Sequence, residues 1–117
     1  MAVTTFAATV RRQLRAAIID LRGEFDATAG AALYAAYDMA ERVNAEAILL
    51  NFTQVTYMNS AGVSLVIELL GRSNKSRRRI AVYGLSSHYT KIFQITRLVD
   101  YMTIAPDEST ALAELFG

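Results

Sequence analysis

The chain has 117 residues, the length of one ordinary domain, and two self-sufficient cores of about 60 residues each would be marginal. It has no cysteine and one histidine, which excludes structural disulfides, thiolate metal sites, iron–sulfur clusters, a cysteine nucleophile and a histidine-rich metal centre. Apolar residues make up 53% of the chain and the net charge is +1, so a substantial core is expected and the footprint of a dedicated nucleic-acid binder is missing.

Hydrophobic periodicity supplies the elements in chain order. Met1–Phe6 has no basic stretch leading into an apolar run, so no targeting segment is expected there. Phe6–Val10 and Ala16–Leu21 read as strands, with Arg11–Arg15 as the turn between them and Gly23-Glu24-Phe25-Asp26 ending the second. Thr28–Arg42 is alanine-rich, with Leu33, Tyr37 and Ala40 at helical spacing, and predicts a helix. Ala47–Phe52 is a short continuous apolar run, the pattern of a strand covered on both faces.

Ser60–Arg72 is the next expected helix, with Val63, Val66, Ile67 and Leu70 along one side. Either Asn59 or Ser60 can cap it, and Gly71 stands near its end. Arg79–Gly84 reads as another buried strand. Ser86 or Ser87 caps a helix reaching about Gln94, with Tyr89, Ile92 and Phe93 as its apolar side. Tyr101–Ile104 is a short last strand, and Pro106-Asp107-Glu108 opens a helix through Phe116. The apolar stretches Ala29–Tyr37 and Ala61–Leu70 fall short of the roughly 18–20 residues a membrane span needs, so a cytoplasmic protein without membrane insertion is expected.

Strands alternating with helices predict an α/β fold: a four- to five-stranded mixed sheet, largely parallel after an initial hairpin, packed with about four helices. Residues 1–117 read as a single domain. The order of strands in the sheet is not readable from this pattern.

Catalytic signatures are missing: there is no Walker loop, no Gly-x-Gly-x-x-Gly, no Gly-x-Ser-x-Gly and no His-Glu-x-x-His. A regulatory binding module is expected, not an enzyme, with no cofactor and no metal. The informative junction is Val55–Leu65, which leaves a buried strand and enters a helix. Open α/β sheets place their sites at such carboxyl-end turns. Ser60 would stand at the helix start, where free N–H groups and the helix dipole favour an anion. A phosphate there adds about −1.5 to −2 charge. A plain cap is the simpler role for Ser60. Gly62 allows either close approach of a partner backbone or packing against a strand.

The run Tyr57-Met-Asn-Ser-Ala-Gly-Val63 resembles the signature turn of STAS domains, the sulfate-transporter and anti-sigma-factor-antagonist family. In that family an apolar residue precedes Asp-Ser-Ser/Thr-Gly-Leu. Gly23-Glu24-Phe25-Asp26 resembles the family's Gly-Glu-Leu-Asp turn. Ile95-Thr96-Arg97-Leu98, with Asp100-Tyr101-Met102, resembles its late Leu-Thr-Gly-Leu segment, and Arg97 stands where the family commonly has Gly. The ordered set spans nearly the whole chain. The resemblance implies a STAS fold and an anti-sigma factor antagonist, which binds an anti-sigma factor serine kinase when unphosphorylated. It implies phosphorylation at Ser60, reversal by a serine phosphatase, and a partner surface of Met58, Asn59, Ser60, Ala61, Gly62 and Val63. Asn59 replaces the motif Asp and Ala61 a second hydroxyl, so Ser60 is the one acceptor in the turn. Members lacking the acidic residue act as non-phosphorylated scaffolds, sensors or transporter-associated subunits, and that role is the alternative.

Three other features have simpler roles. The basic run Lys75-Ser-Arg-Arg-Arg79 reads as a solvated loop, or more sharply as a dock for an acidic partner. No aromatic platform interleaves it, which argues against nucleic acid. Glu24 and Asp26 read as turn and cap chemistry for the Thr28 helix, and His88 as a surface residue.

Overall fold

The computed structural model describes residues 5–116; residues 1–4, part of the stretch read as carrying no targeting signal, lie outside them. Five strands form one sheet in the order β1-β2-β3-β4-β5: Ala7–Gln13, Ala16–Phe25, Ala47–Met58, Arg79–Tyr83 and Thr103–Ala105. β1 and β2 make an antiparallel hairpin, and the remaining pairings are parallel. The helices are α1 Gly30–Arg42, entered through a 3₁₀ turn at Ala27–Ala29, then α2 Ser60–Lys75, α3 Ser87–Ile95 and α4 Glu108–Phe116. This is the expected mixed α/β sheet with an initial hairpin and four helices.

Each parallel crossover joins neighbouring strands in the same direction, so the right-handed rule puts α1, α2 and α3 on one face. The burial pattern agrees. Ala17, Ile19 and Leu21 of β2 and Ile48 and Leu50 of β3 pack with Leu33, Tyr37, Val66, Leu69 and Phe93 of those helices. The alternate residues Ile18, Leu49, Ala81 and Tyr83 point the other way, under Ala111 and Leu115 of α4. Apolar layers on both faces explain why the central strands read as unbroken apolar runs.

Several boundaries differ from the sequence reading. Arg11–Gln13 are strand, not turn: they pair with Ala16–Ile18, and the hairpin closes at Leu14 and Arg15, with Leu14 at φ 56. β1 is an edge strand, where polar side chains are tolerated facing water. Gly23-Glu24-Phe25 continues β2 instead of ending it. The ladder shifts register around Gly23, whose φ of 92 absorbs the irregularity.

β3 runs to Met58, well past Phe52. Its pairing with β4 stops at Asn51, its later residues pair only with β2, and the exposed Thr53, Gln54 and Thr56 among them interrupt the apolar run. α2 continues past Gly71 to Lys75. Its buried face is Gly62, Val66, Leu69 and Ser73, while Val63 and Leu70 are half-buried and Ile67 is exposed. The last strand is Thr103–Ala105, and Tyr101 lies outside it, exposed. Arg97 takes the left-handed backbone, φ 64, that a glycine would adopt freely, and its guanidinium pairs with Asp100 at 2.9 Å.

α4 is tied down by a polar network on its own face of the sheet. Arg11 Nε donates to Asp20 Oδ2 at 2.7 Å, and Arg11 also pairs with Glu108 at the start of α4. Tyr83 Oη donates to Glu108 Oε1 at 2.7 Å, and Asn51 Nδ2 to Asp20 Oδ1 at 2.8 Å. The Arg11 hydrogen bond holds the Glu108 carboxyl below its ordinary range. Burial alone would raise Asp20, but the bonds from Arg11 and Asn51 bring it below its ordinary value.

Carboxylates depressed in the folded state stabilise it above their unfolded pKa, and that stabilisation is lost as pH falls. The thermal midpoint is therefore expected to drop as pH is lowered through about 4 and below. Arg11→Met should flatten that dependence. Parallel profiles for the two proteins would show that the network does not couple folding to pH.

Candidate functional site

The 3₁₀ turn that leads into α1 and the starts of α2 and α3 gather at the carboxyl end of the parallel strands, each capped by a side chain. Asp26 Oδ1 accepts from Thr28 N–H at 2.9 Å, Asn59 Oδ1 from Gly62 N–H at 3.1 Å, and Ser86 Oγ from Tyr89 N–H at 3.3 Å. The Thr28 hydrogen bonds also hold the Asp26 carboxyl below its ordinary range. Asn59 has extended backbone, φ −105 and ψ −174, and is the cap of α2. Ser60 is thus the first helical residue and not the cap. It is exposed, and its Oγ makes no hydrogen bond among the described residues. Its carbonyl accepts from Ser64 Oγ at 3.1 Å.

The turn is held from two sides. Asn59 N–H donates to the Phe25 carbonyl at 3.3 Å, where β2 ends beside Met58. On the other flank β4 has already stopped, and Met58 N–H donates to Tyr89 Oη of α3 at 2.9 Å. A β-carbon on Gly62 would lie 2.2 Å from the Phe25 carbonyl oxygen and 2.9 Å from Met58 Cγ. The close approach that Gly62 permits is therefore to this chain's own strand. Beneath the turn, Phe6, Phe25, Phe52 and Phe93 form a run of ring contacts with centroids 5.0, 5.8 and 6.2 Å apart.

The six residues of the signature turn accordingly divide. Met58 and Gly62 are buried under it. Asn59, Ala61 and Val63 are half-buried and reach the surface around Ser60. Tyr57, 48% exposed and in register with Glu24, adjoins them. His88 is exposed, its ring against Tyr89 at 5.0 Å. No group of three or more potential metal ligands occurs among the described residues. Tyr89 read from sequence as an apolar core residue. The sign that it does more is a tyrosine three residues after a serine cap, on a helix side where a phenylalanine would pack as well.

The family model described as "Mlab, STAS domain" matches residues 8–104. The anti-sigma-B factor antagonist of Staphylococcus aureus is 32% identical over 57 residues, which cover 49% of this chain and 53% of that protein. The match thus spans about half the length of this curated relative. An anti-sigma factor antagonist from Mycobacterium paratuberculosis superposes with a TM-score of 0.81 at 16% identity, covering 94% of this chain and 93% of the other, a likeness of fold. The Bacillus cell fate determinant SpoIIAA in its phosphorylated form superposes with a TM-score of 0.70 at 26% identity, covering 93% of this chain and 99% of that one.

Removing the cap should be measurable as stability. Asn59→Ala is expected to cost ~1 kcal/mol in urea unfolding. Asn59→Asp keeps the acceptor and adds a charge that the helix start favours, so it should gain about 0.3–1 kcal/mol. Gly62→Ala, forced against backbone, should cost about 1–3 kcal/mol. An Asn59→Asp protein less stable than Asn59→Ala would contradict the assignment of the cap.

Proposed function

This chain belongs to the STAS domain family, and from that membership we propose that it is an anti-sigma factor antagonist acting in the cytoplasm. It binds a kinase-type anti-sigma factor through the surface around Ser60. The observation that carries the reading is the exposed Ser60 at the first position of α2, its hydroxyl free of hydrogen bonds among the described residues. The name of the Staphylococcus aureus relative supports the partner class.

The proposed switch is electrostatic and needs no refolding. The first N–H groups of a helix have no intrahelical acceptor, and they favour an anion. A phosphate on Ser60 is therefore tolerated by the free domain. Within an interface the same charge is desolvated without a partner, at a cost of ~3–5 kcal/mol. At about 1.4 kcal/mol per tenfold, affinity falls by ~10²–10³. Ser60, Asn59, Ala61 and Val63 form the surface that the kinase reads, while Met58 and Gly62 fix its shape from below. A serine phosphatase restores binding, and the chain itself performs no catalysis.

One observation favours a second reading. The cap is the neutral Asn59, not an aspartate, and Ala61 supplies no second hydroxyl. A turn without the acid suits a non-phosphorylated scaffold or transporter-associated subunit that uses the same surface permanently.

Incubation with ATP and the serine-kinase anti-sigma factor of its own genome, followed by intact mass analysis, separates the two. The antagonist reading predicts one phosphate, lost in Ser60→Ala, and a complex weakened ~10²–10³ by Ser60→Asp. No phosphate with an intact complex would support the scaffold. No phosphate and equal binding by Ser60→Asp would remove Ser60 from the function.

A further inference from the structure

On the three-helix face, away from Ser60, an open groove of about 880 Å³ runs between the second half of α2 and the segment joining α3 to β5. One wall carries Ile67, Leu70 and Gly71, and the other carries Val99, Tyr101 and Met102. Ile67 is 48% exposed and Tyr101 76%, although both are large apolar side chains. Apolar side chains clustered around a concavity and left in water mark an interaction surface.

Gly71 adds a second observation. A glycine inside a helix costs about 1 kcal/mol relative to alanine. Here the fold does not require it, because a β-carbon at this position would meet nothing within 4 Å. The missing side chain instead leaves the α2 backbone bare along the groove wall, where another backbone can approach closely.

Charge supplies the third. Asn74, Arg78 and Arg79 line the groove, and Lys75 and Arg77 are their neighbours along the chain. Arg78 is spent internally, on the Ala45 carbonyl at 2.9 Å and Glu41 at 3.7 Å, and Arg79 donates to the Leu115 carbonyl. Lys75 and Arg77 are exposed and form no ion pair among the described residues. The anion on the groove wall, Asp100, is already paired with Arg97.

We propose that this groove receives an amphipathic helix of a partner protein, its apolar ridge on Ile67, Leu70 and Tyr101 and its acidic side chains against Lys75 and Arg77. A concave floor fits a helical ridge, whereas a flat bilayer would rest on the rim and leave the space over Gly71 unfilled. A second copy of this chain would bring the same free cations against one another. The site is distinct from the Ser60 turn: Gly71 lies eleven residues along α2, about 16 Å at 1.5 Å per residue. The domain thus presents a second surface, for a second partner, and the assignment does not rest on the phosphorylation reading.

The test is a titration of the isotopically labelled chain, followed by amide NMR, with a synthetic amphipathic helical peptide bearing leucines on one face and glutamates beside them. The expected result is saturable shifts at Ile67, Gly71, Val99 and Tyr101. The same peptide with lysines for glutamates should bind about tenfold or more weakly, as like charges then meet. Lys75→Gln with Arg77→Gln should weaken the glutamate peptide alone. Gly71→Phe, which projects into open space, should fold normally and abolish the shifts, while Ser60→Asp should leave them unchanged. Equal affinity for both peptides, or shifts confined to other surfaces, would overturn the proposal. So would capture of the chain by phosphatidylglycerol vesicles, or dimerisation through these residues in sedimentation.

Discussion

The carbonyl oxygen of Phe25 is where the arrangement at the head of α2 is decided. It ends β2, accepts the Asn59 N–H, and leaves room for a hydrogen but not a methyl group at residue 62. The first turn of α2 can lie this close to the strand end only with a glycine at its third residue, and Ser60, two residues earlier, faces out. On the opposite flank β3 has outrun β4, and the Tyr89 hydroxyl supplies the acceptor that a neighbouring strand would have given Met58. Four phenyl rings fill the space below. A turn fixed from both sides and from beneath costs little further ordering when a partner docks, and a charge added to it has no slack in which to swing away.

The same logic explains what was legible in the sequence. The inner halves of β2 and β3 are apolar on both faces because helices cover both, and those halves were readable as strands. The outer half of β3, Thr53–Thr56, has lost its neighbour on one flank, and its exposed Thr53, Gln54 and Thr56 break the continuous apolar run that marked the inner half. Arg11 and Arg12 read as turn because they are charged, yet an edge strand tolerates charge, and Arg11 earns its place by reaching α4. Gly23 read as a strand break and proved to be the hinge of a bulge that lets β2 continue to Phe25. Local composition reported the buried centre of the sheet and missed the hydrogen bonding at its margins.

The site was legible as a motif and less so as a surface. Ser60 stands where the signature turn placed it, but the cap is Asn59, and Met58 and Gly62 turn out to lie beneath the surface. Tyr89 was legible as an apolar helix residue, but its bond to the turn escaped the sequence, because its ring behaves as core and only its hydroxyl reaches Met58. The exposed apolar residues beyond mid-α2 escaped too: Ile67 fits a helical stripe by spacing and misses the core by about a quarter turn. One helix thus has an exposed serine at its start and exposed apolar side chains in its second half.

The central claim is that another protein reads the turn at Ser60. Amide hydrogen exchange, compared between the free chain and its complex with the anti-sigma factor, tests it most directly. The account predicts protection concentrated at residues 59–63 and at the start of α3, with the β1–β2 hairpin and α4 unchanged. Protection on the hairpin or α4, with exchange at Ser60–Val63 unaltered, would contradict it.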